Sequence, residues 1–207
     1  MRQARKPQGP ETKSTTRGDR RRRDLLDAAF ALIGEKGFEG LRTREIAARA
    51  GVNIAMLHYY FGTKEALLVA LVDHVRDTFN APRRRSRPTS KSGPVKLRSD
   101  FADSWSVLQA NPHLTTVLIE LSLRARRDAA ARKALRSLLT SWTQRMEVLM
   151  RRGMSAGELR NDLDARAAAV VITSFFIGAS LQLGVNPRAF NALEVSKALE
   201  RWLVNPG

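Results

Sequence analysis

Apolar residues in this chain recur at helical spacing, and no stretch alternates in the two-residue rhythm of a strand. From Asp24 onward, Leu25, Leu26, Ala29, Leu32 and Ile33 mark one face of a first helix, with Gly37 placed to end it. Thr43, Asn53 and Thr63 each precede a further apolar set. Each has a side-chain oxygen that can accept from unpaired amides, so each predicts a helix start. The fourth helix carries Leu67, Leu68, Leu71, Val72 and Val75 over 64–80 and is expected to end near Asn80, Ala81 and Pro82. Residues 82–94 hold three prolines, a glycine and five basic residues, which read as a flexible basic linker. Helices are then predicted at about 95–110, from Pro112 to 126, at 129–156, and at 165–184 behind Asp164. A last one should start after Asn186 and Pro187 and end near Leu203. The expected fold class is all-α, with about nine helices and no internal repeat.

Composition adds a partner class. There are 36 Lys and Arg against 20 Asp and Glu, a formal charge of +16, which points to a polyanion, nucleic acid before anionic membrane. Residues 1–19 are polar, basic and rich in Pro and Gly, so a disordered basic tail is expected there, leading into Arg20, Arg21, Arg22 and Arg23. That run is either a solvated tail or an arm along phosphates or in a minor groove. Arg166, Ser174, Ser180 and Gln182 interrupt the most apolar stretch, so no membrane span is expected. An N-terminal signal segment is also not expected, and a cytoplasmic location is. Cysteine is absent, which removes disulfides and thiolate metal sites.

The chemistry concentrates in residues 43–61. Two short helices joined by a tight turn must cross steeply, which needs a small residue where the backbones approach and a residue tolerant of positive φ in the turn. Ala47 and Gly51 supply these, while Ile46, Ala50, Val52 and Leu57 are spaced to face the first helix. This is a helix-turn-helix, and its second helix would enter a major groove with its N-terminal residues nearest the bases.

Residues 24–68 resemble the DNA-binding domain of the TetR (tetracycline repressor) family of bacterial regulators. The resemblance rests on Gly37-Phe38, Thr43-Arg44-Glu45-Ile46-Ala47, Ala50-Gly51-Val52, Tyr59-Tyr60-Phe61 and Lys64-Glu65-Ala66-Leu67. The rest of the chain agrees with the family in length and helical character. Asn53, Ala55 and His58 depart from the frequent Ser, Gly and Tyr at their positions.

The resemblance implies a three-helix DNA-binding domain at 20–66 and an effector-binding and dimerisation domain at 67–207. It also implies DNA-binding roles for Thr43, Arg44, Asn53, Ile54, Ala55, Met56, His58, Tyr59, Tyr60 and Lys64. Thr43 would bind phosphate. Arg44 would either reach a guanine or neutralise phosphate. Ile54, Ala55 and Met56 suit thymine methyl groups. His58 and Tyr60 would touch phosphate, Tyr59 would do so or pack on the first helix, and Lys64 would clamp phosphate at a helix N-terminus.

In the C-terminal half, the eighth helix is apolar on more than one side, and the resemblance assigns it, with the ninth, to a homodimer interface. Val171, Phe176, Ala179, Leu183 and Trp202 are the candidates. Trp105, Leu108, Leu118, Leu121, Trp142, Met146 and Phe175 are candidates for an effector pocket that would take an unidentified apolar small molecule. The partners expected are double-stranded operator DNA, a second copy of the chain and that effector, with no cofactor. His74 and His113 lack a second ligand at metal spacing, and no nucleophile motif or phosphate loop is present, so neither a metal site nor catalysis is expected. Two rival readings are a helical enzyme and a binder driven by charge alone.

Overall fold

The computed structural model describes residues 17–85 and 92–204. Among them are nine α-helices: α1 (Arg17–Lys36), α2 (Thr43–Arg49), α3 (Ile54–Tyr60), α4 (Lys64–Arg85), α5 (Gly93–Ala110), α6 (Leu114–Ala125), α7 (Ala129–Ser155), α8 (Ala165–Val185) and α9 (Ala192–Leu203). A short 3-10 turn, Phe38–Gly40, follows α1, and a single antiparallel bridge joins Leu159 to Val204. The all-α expectation holds.

Several boundaries differ from those predicted, each for a local reason. α1 begins at Arg17, before its apolar stripe, so the arginine run is helical rather than part of a loose tail. Arginine propagates a helix well, Asp19 sits in the favourable first turn, and the Arg22 guanidinium lies 5.3 Å from the centre of the Phe61 ring. The remaining predicted tail, 1–16, lies outside the described residues. Thr43 is the first residue of α2, and Arg42 caps it without a side-chain bond. α4 continues through Pro82 to Arg85, because a proline in the last turn deletes only one hydrogen bond near an end that frays anyway.

α5 starts at Gly93, not Val95. Gly93 lies against the backbone of Gly153, where a Cβ would come within 2.8 Å of Gly153 Cα, and its amide donates to Glu158. The ends of the expected linker at 82–94 are therefore helical, and 86–91 lie outside the described residues. α6 begins two residues after Pro112, at Leu114. α9 begins at Ala192 because Asn186 folds a turn through its side chain, accepting from the Arg188 amide, and Asn191 then accepts from the amides of Leu193 and Glu194.

The apolar faces merge into two cores. One joins α1–α4 to α6, the C-terminal half of α5 and the N-terminal half of α7, around Leu25, Leu32, Ile33, Ile46, Leu57 and Leu121. Its members run without a break across the boundary expected at 66/67. The other joins the start of α5 and the end of α7 to α8 and α9, around Leu97, Met150, Leu159 and Ile172. α8 is long and apolar enough to cross a bilayer by length and composition alone, a test that a buried core helix also passes. One side of it, with Ala165, Ala168, Ala169 and Ile172, packs inside the chain, while Val170, Val171, Ile177 and Leu181 remain exposed.

Candidate nucleic-acid interface and effector cavity

The turn between α2 and α3 follows from its residues. α2 ends with the Val52 amide donating to the Ala47 carbonyl and the Gly51 amide to the Ala48 carbonyl, a Schellman closure that places Gly51 at φ 65°. Ala47, Ile46 and Leu57 are buried, Ile46 and Leu57 within the first core. Asn53 then starts α3, its Oδ1 accepting from the Ala55 amide at 3.0 Å. Thr63 does the same for α4, its Oγ1 accepting from the Ala66 amide at 3.0 Å.

Because Leu57 turns inward, the opposite side of α3 turns outward. Ala55 and His58 are exposed, Ile54 and Met56 are half-buried, and Tyr59 is 79% exposed, with its ring edge-on to Tyr60 at 5.2 Å. Of the two roles open to Tyr59, packing on α1 is excluded by that exposure. Tyr60 is the residue that packs, half-buried against the core beside Phe61. Arg44, at the start of α2, and Lys64, at the start of α4, are exposed, and neither has an acidic partner among the described residues. Thr43 is half-buried beside them.

The other charges of this region are spent on holding it together. Arg49 of α2 makes two hydrogen bonds of 2.6 Å to Glu35 of α1, which holds the Glu35 carboxyl below its ordinary range, and Lys36 pairs with Glu45. Sequence reasoning missed these pairs, and it missed a bond between the reading head and the body. The Phe38 amide donates to Glu120 of α6 at 3.0 Å, over a Gly37 at φ 68° with no Cβ to obstruct the carboxylate.

A cavity of about 610 Å³, its open mouth included, lies among α4, α5, α6, α7 and α8. Leu108, Leu118, Trp142 and Met146 line it, as anticipated. Three other candidates do not. Leu121 is fully buried in the first core, and the Trp105 indole donates to Ser196 Oγ at 2.6 Å, tying α5 to α9. Phe175 meets the Trp105 and Phe176 rings edge-on instead of facing the cavity. Phe79, Phe101, Ile172 and the ion pair of Asp100 with Arg145 (2.6 Å) complete much of the wall. Their faces could be assigned only once the helices were placed.

Of the dimer candidates, Val171 and Trp202 are exposed at 52% and 72%, and Leu183 is half-buried. Ala179 is buried within the chain, and Phe176 is half-buried and lines the cavity. Val170, Leu181 and Val185 are also exposed on α8.

A helix-turn-helix with an outward-facing second helix, mounted on a helical body with a largely apolar cavity, is the architecture of a DNA-binding regulator with an effector site. Residues 25–71 match the family described as bacterial regulatory proteins, tetR family, and residues 96–205 match the BetI-type transcriptional repressor C-terminal domain. The chain belongs to the TetR family of bacterial regulators. It is 30% identical over 192 residues to the HTH-type transcriptional regulator BetI of Rhizobium meliloti, across 89% of this chain and 88% of that one. It is 28% identical over 156 residues to the HTH-type transcriptional repressor NicS of Pseudomonas putida, across 75% and 74% respectively. Its fold matches that of the Bacillus subtilis regulator FadR in complex with stearoyl-CoA. The TM-score is 0.74 at 21% identity, covering 86% of this chain and 95% of that one.

Proposed function

We propose that two copies of this chain bind a palindromic operator through paired α3 helices, repress transcription there, and release the DNA when a small apolar effector fills the cavity. The observation that carries this reading is the outward start of α3. Ile54, Ala55 and Met56 stand beyond the Gly51 elbow, flanked by unpaired Arg44 and Lys64 at the starts of α2 and α4. Apolar side chains at that place suit thymine methyl groups, and the two cations suit the phosphates on either side.

Pairing is supported by the exposed apolar residues of α8, which a monomer would leave in water, and by the need for two half-sites about one helical turn apart. The stearoyl-CoA complex of a protein with this fold supports an effector that carries an apolar chain, as do the aromatic walls of the cavity. An effector that binds one spacing of the two heads more tightly than the other lowers operator affinity by linkage. The protein would act in the cytoplasm, where its operator lies.

Selection of DNA from a random pool by the purified protein tests the reading. It should return a palindrome preferred about 10³-fold or more over random duplex at matched salt. Lys64→Ala should weaken binding to every sequence, whereas Arg44→Ala should relax preference at one base pair by about 1–3 kcal/mol. A pool that returns no preferred sequence would leave only binding by charge.

A further inference from the structure

We propose that the corner between α6 and α7 is a second phosphate-contacting surface, with Arg126 and Arg127 meeting the duplex beside the strand held by Thr43 and Lys64. The proposal rests on the DNA-binding reading above and extends the interface from the reading head to the body of the protein.

Position is the first argument. A cleft between head and body is lined by Thr43, Lys64 and Glu65 on one side and by Arg124 and Asp128 of the corner on the other. The corner therefore stands next to the two residues assigned to phosphate, on the same face of the molecule.

Charge is the second argument. Between residues 124 and 136 the chain carries Arg124, Arg126, Arg127, Arg132, Lys133 and Arg136 against one acid, Asp128. That acid is occupied, since it accepts from the amides of Ala130 and Ala131 to start α7 and takes Arg124 Nε at 3.2 Å. Arg132 is also occupied, donating to the carbonyls of Ala125 and Arg126 and so closing the end of α6. Arg126 and Arg127 are left exposed, with no ion pair among the described residues.

Rigidity is the third argument. The Arg126 and Arg127 amides donate to the carbonyls of Leu123 and Arg124 at 3.2 and 3.0 Å, so a fixed turn presents both guanidinium groups. Two adjacent unpaired cations on a fixed turn cost repulsion in the free protein, and a duplex with one charge per about 1.7 Å relieves it.

The test compares the full chain with R126Q/R127Q, R126K/R127K and K64A on the selected operator and on a random duplex, over a salt series. The glutamine pair leaves the Arg126 carbonyl in place for Arg132, and circular dichroism checks that the variant is folded. Each phosphate contact contributes about 0.9 to the slope of log affinity against log salt. The glutamine pair should lower that slope by about 2–4 per dimer, equally on both duplexes, and the lysine pair should restore most of it. If the glutamine pair keeps the wild-type slope while K64A lowers it, the corner does not touch DNA and the head reading stands. If wild-type protein prefers neither duplex, the head reading fails, and an unchanged slope in the glutamine pair on the random duplex then removes the corner as well.

Discussion

Replacing Gly51 by alanine isolates the backbone cost of the elbow on which the reading head turns. Gly51 sits at φ 65°, and a Cβ built there meets no atom within 4 Å, so no steric clash can contribute. An L-residue in this conformation costs about 1–2 kcal/mol. The stiffer unfolded chain returns about 0.4–1 kcal/mol of that. The net expected loss is about 1 kcal/mol, with Gly51→Asn closer to neutral because asparagine tolerates the left-handed region. Urea unfolding followed by circular dichroism measures the loss, and operator titration at fixed salt measures whether α3 keeps its place. Gly34→Ala is the contrast, since a Cβ there would lie 2.3 Å from the side chain of His113 and something must move. A Gly51→Ala protein as stable as wild type would refute the positive-φ elbow. A loss above about 3 kcal/mol would mean the site is crowded rather than open.

Ser196→Ala removes the acceptor of the buried Trp105 indole and should cost about 1–3 kcal/mol in urea unfolding, because that N–H is left without a partner away from water. Burial between α1 and α4 lowers the His74 pKa below its ordinary value. Arg23 and Arg22 act in the same direction, while Asp27 and Asp77 oppose it. The unfolded chain therefore binds the proton first as pH falls, so stability should be complete above about pH 7 and decline as pH drops through about 6.5. His74→Gln should flatten that stretch of the pH–stability curve, and an unchanged curve would remove His74 as its source. Leu181→Arg places a charge on the exposed face of α8 and should shift sedimentation from dimer to monomer at micromolar concentration, weakening operator binding in parallel.

The head was the most legible part of the chain, because its requirements are local. A Schellman turn favours a residue without Cβ, a capping oxygen favours a helix start, and a close helix approach favours a small side chain. Gly51, Asn53 and Ala47 meet these needs at fixed offsets from one another. Helix ends failed where the deciding partner lay far along the chain. Gly93 extends α5 because Gly153 and Glu158 stand opposite it, and Arg22 rests on the Phe61 ring at a helix start that no apolar stripe marks.

Residue order alone decides that this chain is helical, where its elbow bends and which side chains begin the reading helix, since all three depend on periodicity and on contacts within a few residues. The allocation of large apolar side chains waits on packing. Phe175 and Phe176 are neighbours of the same type on one helix, yet only Phe176 faces the cavity, because the rotation of α8 against α7 decides which of them does. The same holds for charge. Composition announces an excess of arginine, but Glu35 and Asp100 are found to hold Arg49 and Arg145 only once the helices stand side by side, and that pairing determines which cations remain for DNA.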